Sequence, residues 1–261
     1  MTKNAQQVEV MAVIGLGLIG GSIAKSSYLS GFANHTIGYS LNFSEARLGV
    51  ELGVVHEAAQ TIEQAVSNAD LIIIAVPVRA FESILFKVKP FLKKGAVITD
   101  VGSVKGCFLE AVRNVFNELP SFVVPGHPIA GSEKNGVLAA NENLFKNHKV
   151  ILTPHEYSAE YPLQLVRNMW QAAGSTVLEM SVAHHDEVLA ATSHLPHLIA
   201  FSLVDTLAGE EDSQEIFRYA AGGFRDFTIK TVSACWVYLR EQKLHESTLL
   251  KFYLDSHIQI S

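Results

Sequence analysis

The stretch from Val10 to Ser22, VMAVIGLGLIGGS, decides the fold, because an apolar run stops at a glycine and a helical pattern follows it directly. Gly15, Gly17 and Gly20 form the pattern G-x-G-x-x-G. The first glycine permits a tight turn, the second lets a pyrophosphate approach the backbone, and the third lets the helix pack closely on its strand. A glycine-rich turn without a ligand is the alternative, but the strand before the pattern and the helix after it favour dinucleotide binding. The residues expected to line this site are Gly15, Leu16, Gly17, Leu18, Ile19 and Gly20.

The composition is that of a packed globular protein. Of the residues, 48% are hydrophobic and 18% are charged. The length of 261 residues is enough for one large domain or two modest ones. A net charge of -6 gives no basic surface, so nucleic acid is not an expected partner. Cys107 and Cys235 lie far apart and are expected to be reduced thiols, with no metal site. No apolar run approaches the roughly 18 residues of a membrane helix, and the N-terminus lacks the long apolar core of a signal peptide, so a cytoplasmic location is expected.

Short apolar strands alternate with helices up to about residue 155, which is typical of a parallel sheet wound by helices. The predicted strands are Val8–Ile14, His35–Tyr39, Leu71–Val76, Ala96–Asp100, Phe122–Val124, Lys149–Leu152 and Thr176–Met180. The predicted helices are Ile19–Ser30, Ser44–Leu52, Ile62–Ala69, Ala80–Phe91, Lys105–Leu119, Ala183–Leu207 and Ser213–Tyr219. The pattern predicts an α/β fold, a Rossmann-type doubly wound parallel sheet followed by a mostly α-helical domain. Residues 1–155 would bind the dinucleotide, and residues 156–261 would form the helical substrate and dimerisation domain.

The end of the second strand bears on the choice of cofactor. An NAD site usually places an acidic residue on the ribose about 20 residues after the glycine pattern, and this chain has Ser40 there. Arg47 is expected to be a solvated helix residue rather than a ligand of a 2′-phosphate. NAD is therefore the expected cofactor, with NADP still possible. Val76 and Pro77 end the third of the predicted strands where the nicotinamide would lie, although Pro77 is equally compatible with an ordinary strand terminator.

Two loops at strand ends carry polar groups, Asp100–Gly106 and Pro125–Glu133. Ser103 precedes a helix, so it is either an N-cap or a functional hydroxyl. His127 lies between a glycine and a proline, two residues that fix the backbone conformation rather than pack in a hydrophobic core. It is therefore a candidate general acid or base.

The helical region contributes further polar candidates. His194 and His197 are three residues apart and share a helix face, but nothing nearby completes a zinc site. Pro196 removes a helical hydrogen bond and is expected to kink the helix. The segment 184–186, His-His-Asp, is expected to be an exposed first turn. Arg225 follows a glycine pair and suits bidentate binding of a carboxylate.

Five motifs, in this order and spacing, resemble those of the prephenate/arogenate dehydrogenase family. They are GLGLIGGS, DVGSVKG, PGHPIAGSE, ATSHLPHLIAFSLVD and IFRYAAGGFRDFT. The resemblance covers Val10 to Thr228. It implies NAD(P)-dependent oxidative decarboxylation of prephenate or arogenate in tyrosine biosynthesis, carried out by a homodimer. The reaction removes a hydride from the ring carbon that bears the hydroxyl and releases the ring carboxylate as CO2.

The resemblance also implies roles for individual residues. His127 matches the histidine that accepts a hydrogen bond from the ring hydroxyl, and Ser103 matches the serine that helps to orient it. His194 and His197 match the histidines of the substrate pocket, and His197 is counted with the catalytic set. Arg225 matches the arginine that pairs with a substrate carboxylate.

The segment 229–261 departs from the family pattern. Ile229 stands where the family has an arginine, and no Ser-Asp-Pro follows. Such a change is typical of a frameshift or of a truncated variant, and it puts the dimer and the activity in question. An inactive dinucleotide-binding remnant is therefore the alternative to a working enzyme. A different hydroxyacid dehydrogenase on the same fold is a third reading, since fold alone does not fix function.

Overall fold

The computed structural model describes residues 8–131 and 135–210, together with Glu215, Tyr219 and Phe224. A six-stranded parallel sheet in the order β3-β2-β1-β4-β5-β6 forms its centre. The strands are β1 (Val8–Ile14), β2 (Ala33–Tyr39), β3 (Glu57–Ala59), β4 (Leu71–Ile74), β5 (Val97–Asp100) and β6 (Val123–Val124). The order reverses at β1, and ligands of such sheets bind beyond the carboxyl ends of the strands at that point. The predicted Rossmann-type fold is confirmed, while β3 was not predicted.

Helices cover both faces of this sheet. They are α1 (Leu18–Leu29), α2 (Phe43–Glu51), α3 (Ile62–Val66), α4 (Phe81–Val88) and α5 (Lys105–Phe116). Successive side chains of a strand point to opposite faces, so each strand contributes to two cores. Met11 and Val13 of β1 pack in one core with Ile23 of α1. Ala12 of β1 packs in the other with Phe81 of α4. Because both faces are covered, the strands read as continuous apolar runs rather than as an alternation.

A second, three-stranded sheet follows the first. It contains β7 (Gly126–Ile129), β8 (Lys149–Leu152) and β9 (Thr176–Glu179), with β7 antiparallel and β9 parallel to β8. The loop interpretation of Pro125–Glu133 is therefore wrong for residues 126–129, because these backbone groups pair with β8. The strand predicted at Lys149–Leu152 exists but belongs to this second sheet.

The first compact unit ends at Asp186. Helix α6 (Glu160–Ala172) places Leu165, Met169 and Trp170 in the same core as Met11 of β1. The Trp170 ring packs edge-on against Phe145, with 5.0 Å between ring centroids. Helix α6 thus belongs to the first compact unit, and the domain boundary at residue 155 stays a prediction.

The chain is helical from Val182 to Ala208. Helix α7 (Val182–Leu189) is followed by a π-helical stretch, Ala190–His194, and by α8 (Leu195–Ala208). The Leu195 N–H bonds to the Ala190 carbonyl, five residues back. In an α-helix the N–H of residue 196 would donate a hydrogen bond to the Thr192 carbonyl, but Pro196 has no N–H. The irregularity predicted at Pro196 thus takes the form of a widened turn directly before it.

The span Val182–Leu207 is long and apolar enough to cross a membrane by length and composition alone, although it contains no uninterrupted apolar run of that length. The helix predicted at Ser213–Tyr219 lies outside the described residues, apart from Glu215 and Tyr219.

Candidate cofactor and active site

The glycine turn has the geometry that a dinucleotide needs. Gly15 has φ +102°, and a side chain there would overlap the Ala75 carbonyl. A side chain on Gly20 would overlap the Gly15 carbonyl, so these two glycines permit close packing. A Cβ on Gly17 would meet nothing within 4 Å, which leaves room for a pyrophosphate. Helix α1 has neither a side-chain cap nor an acidic residue in its first turn, so its N–H groups suit an anionic ligand.

The other predicted cofactor residues adjoin this turn. The Leu16 side chain is buried against Gly38, so only its backbone can face a ligand. Val76 lies beside Gly15, with Cγ1 3.2 Å from the position a Gly15 Cβ would take. Pro77 is exposed and begins a short 3-10 turn. Leu18 and Ile19 form the first turn of α1, where their N–H groups point toward the same space.

A carboxylate lies beside Ser40 at the end of β2. Ser40 is buried, and its hydroxyl donates to Glu45 Oε2 at 2.7 Å. Glu45 is in the first turn of α2, which begins where the Asn42 side chain accepts from the Ser44 N–H at 3.1 Å. Arg47 is exposed on the same helix, in line with its interpretation as a solvated residue. Glu45 was not predicted from the sequence, because the acidic residue of an NAD site is expected at the strand end itself.

A buried ion pair connects the ends of two strands. Lys105 and Asp100 are both fully buried and in contact, and Lys105 Nζ donates to the Gly126 carbonyl at 2.7 Å. Asp100 accepts from the Gly102 N–H at 2.8 Å and from the Gly126 N–H at 3.2 Å. Burial raises the pKa of the Asp100 carboxyl and lowers that of the Lys105 ammonium, and the contact between the charges opposes both shifts. The pair ties the loop that carries Ser103 to the start of β7.

His127 is the second residue of β7 and is half-buried. Its Nδ1 lies 2.9 Å from Nε2 of His185, and Nδ1 of His185 lies 2.8 Å from Oδ1 of Asp186. The three side chains therefore form a chain that ends at a carboxylate. The prediction of an exposed turn at 184–186 holds for His184 but is wrong for His185, which is 0% exposed. His185 and Leu189, four residues apart, share a buried helix face, a periodicity that the sequence does contain.

Asp186 also caps α5. Its Oδ1 accepts from the Lys105 N–H at 2.9 Å and its Oδ2 from the Gly106 N–H at 2.8 Å. Burial acts to raise the pKa of Asp186, but the hydrogen bonds from His185 and from these two amides outweigh it and hold the pKa below its usual value. The N-cap position is Val104, with no cap from its own side chain, so the interpretation of Ser103 as the N-cap is wrong. A carboxylate from a distant helix takes that role.

The structure brings the Ser103 loop and His127 together through the Lys105–Asp100 pair. His194 lies in the π-helical stretch and His197 in α8, but their side chains are outside what the structure describes. Arg225 lies outside the described residues. Sequence reasoning missed the supporting residues Glu45, Asp100, Lys105, His185 and Asp186.

A Rossmann-type sheet, a glycine turn before an uncapped helix, and a histidine linked to a carboxylate define an NAD-dependent oxidoreductase. Sequence models of one family match nearly the whole described chain. The nucleotide-binding domain of prephenate dehydrogenase matches residues 23–179, and the dimerization domain of the same enzyme matches residues 181–241. The chain therefore belongs to the prephenate dehydrogenase family. The second match continues past Thr228 to residue 241.

Individual relatives agree with this assignment. The chain is 38% identical over 223 residues to a cyclohexadienyl dehydrogenase of Zymomonas mobilis, covering 84% of this chain and 74% of that protein. It is 34% identical over 259 residues to a prephenate dehydrogenase of Bacillus subtilis, covering 97% of this chain and 68% of that protein. A crystal structure of Aquifex aeolicus prephenate dehydrogenase with hydroxyphenyl propionate and NAD+ superposes with a TM-score of 0.80 at 36% identity, covering 97% of this chain and 87% of that one.

Proposed function

We propose that this protein oxidises and decarboxylates prephenate or arogenate with NAD, in the route to tyrosine. The observation that carries the proposal is the hydrogen-bonded chain His127–His185–Asp186, which supports His127 as the general base. Family membership supports the substrate class, and names of the relatives include both prephenate dehydrogenase and cyclohexadienyl dehydrogenase.

The hydrogen-bonded chain determines which nitrogen of His127 carries the proton. Ionised Asp186 can only accept, so Nδ1 of His185 donates to it and, in the neutral ring, Nε2 of His185 is an acceptor. Nδ1 of His127 must then donate to His185. In a neutral His127 ring, Nε2 therefore has the lone pair. This tautomer is the one that can accept a proton at Nε2 from a substrate hydroxyl.

The same groups stabilise the charge that develops. NAD held at the glycine turn would supply the acceptor for the hydride on the ring carbon that bears the hydroxyl. His127 takes the hydroxyl proton as the hydride leaves, and Asp186 stabilises the resulting positive charge through His185. The ring carboxylate departs as CO2, and the electrons of its bond to the ring make the ring aromatic. The overall reaction releases no proton, so the proton on His127 returns to the ring oxygen.

Other assignments rest on the family motifs. Ser103 orients the hydroxyl from the loop that the Lys105–Asp100 pair holds in place. Arg225 binds a substrate carboxylate, and His194 and His197 line the substrate pocket. Holding the substrate in line with the nicotinamide is a positioning effect.

The described part of α8 supports a homodimer. Leu195, Ile199 and Leu203 recur every four residues and are 50%, 50% and 37% exposed. The dimerization-domain match covers all three. We propose that a second copy, rather than a membrane, covers this stripe. A dimer in sedimentation analysis that Ile199→Glu converts to monomer supports the proposal, and recovery of the protein only in a detergent-extracted membrane fraction contradicts it.

The decisive experiment for the reaction uses the full chain with prephenate and arogenate, each with NAD and NADP. Formation of reduced nicotinamide with either substrate, together with the phenolic product, supports a working enzyme. Tight NAD binding without turnover of either substrate supports the inactive-remnant alternative. His127→Ala is the negative control, since it removes the proposed base and leaves the glycine turn intact.

A further inference from the structure

We propose that Glu45 makes this protein select NAD over NADP. It supplies, from the first turn of α2, the negative charge that a Rossmann site usually carries at the end of β2. The inference rests on the dinucleotide site of the proposed function and not on the cyclohexadienol reaction.

The acidic residue of an NAD site stands at the end of the second strand, where it binds the ribose hydroxyls. Here that position is Ser40, and the carboxylate of Glu45 lies 2.7 Å from its hydroxyl oxygen. The charge missing from the strand end is therefore restored next to it by a residue five positions later.

The hydrogen bond between Ser40 and Glu45 has a defined direction. Ionised Glu45 can only accept, so the Ser40 hydroxyl uses its single hydrogen to donate to Glu45. The Ser40 oxygen then presents lone pairs. A ribose 2′-hydroxyl can donate to Ser40 or to Glu45, whereas the oxygens of a 2′-phosphate would meet an acceptor at both residues.

Two sources of positive charge lie on α2, the Arg47 side chain and the N-terminal end of the helix dipole. Arg47 is two residues from Glu45 on α2, and side chains at that spacing do not face each other on a helix. Arg47 and Glu45 therefore project from different faces of α2. The positive end of the α2 dipole is the other attraction for a phosphate, and Glu45 already lies in that first turn and compensates it.

The test measures nucleotide binding alone, by calorimetry with NAD+ and with NADP+ and no second substrate. Glu45→Gln keeps the length of the side chain and removes its charge. It should tighten NADP+ binding about tenfold relative to NAD+, because a carboxylate and a phosphate a few ångströms apart repel on that scale at a solvated site. Glu51→Gln removes a charge from the far end of the same helix and should leave the ratio unchanged.

Salt provides an independent readout. Exposed charges are screened by salt, so the preference of the unaltered protein for NAD+ should shrink as ionic strength rises. The ratio in Glu45→Gln should change less. A merely structural role of Glu45 would affect both nucleotides together and would not produce this difference.

The outcomes separate the two proposals. An unchanged NAD+ to NADP+ ratio in a folded Glu45→Gln protein overturns the role of Glu45 and leaves the proposed reaction standing. Failure of the unaltered protein to bind either nucleotide overturns the dinucleotide site, and both proposals with it. A shifted ratio in a protein that turns over neither substrate supports Glu45 and contradicts the proposed reaction.

Discussion

Nδ1 of His127 on β7 and Nε2 of His185 on α7 lie 2.9 Å apart, and one of the two rings must donate to the other. Asp186 decides the direction, because it accepts from the far nitrogen of His185. The two histidines are 58 residues apart in the chain, and the hydrogen bond between them fixes His127 as the donor and His185 as the acceptor.

His127→Ala should lower turnover by roughly 100-fold to 10,000-fold, the usual contribution of a general base. NAD affinity should stay within about twofold, because His127 lies on the second sheet and the glycine turn on the first. Steady-state kinetics and calorimetry measure the two quantities. Retention of most of the turnover would remove His127 from the mechanism.

His185→Phe should lower turnover by about tenfold or more while leaving substrate affinity nearly unchanged. Phenylalanine fills the buried space but cannot accept from His127, so the base loses its fixed tautomer. The matched control is His184→Phe on the exposed side of the same helix, which should be silent. If His127→Ala and the double variant have equal turnover, His185 acts through His127. If the turnover losses of the two single variants multiply in the double variant, the coupling between His185 and His127 is contradicted.

Asp186→Asn should destabilise the fold by about 1–3 kcal/mol, since an amide cannot accept from His185 and from two backbone N–H groups at once. The pKa of Asp186 is lower in the folded protein than in the unfolded chain, so its stabilising effect is complete above the unfolded pKa of about 4. It is lost as the pH falls through the lower, folded value. Urea unfolding should therefore show a gap between the parent and Asp186→Asn that closes below about pH 4. A gap that stays constant into acid would show that the carboxylate charge is irrelevant.

Lys105→Met should cost about 3–5 kcal/mol of unfolding free energy, because it leaves the Asp100 carboxylate buried without its cation. Adding Asp100→Asn should recover part of the loss, since the remaining amide is neutral. Lys87→Met on the exposed face of α4 is the control and should stay within about 0.5 kcal/mol. Equal stabilities for Lys105→Met and the control would contradict the buried pair.

Arg225→Lys should raise the Michaelis constant for the cyclohexadienol substrate, because lysine keeps the charge but loses the paired donors. Turnover should change little if Arg225 binds the substrate carboxylate equally strongly in the ground state and in the transition state. Arg113→Lys, exposed near the far end of α5, is the control. Unchanged saturation curves for both Arg225→Lys and Arg225→Ala would mean that Arg225 does not bind substrate.

Much of the fold and part of the candidate site follow from local sequence. The glycine pattern needs only the backbone geometry of one turn, and Gly15 and Gly20 indeed lie where no side chain fits. Apolar runs such as Leu71–Ile74 identify buried strands because their length and composition are local properties. His127 is recognisable from its own neighbours and from the motif that contains it. Each of these features is decided within a few residues of chain.

The tertiary structure alone decided which groups support that site. Asp186 caps a helix that begins 81 residues earlier, and His185 is buried although its neighbours in sequence are polar. The sequence does not distinguish Lys105 and Asp100 from exposed charged residues, and only the folded sheet buries both side chains. Glu45 approaches Ser40 only because α2 starts directly after the turn that follows β2. Hydrogen bonds and burial depend on which elements meet in space, and a one-dimensional pattern does not contain that information.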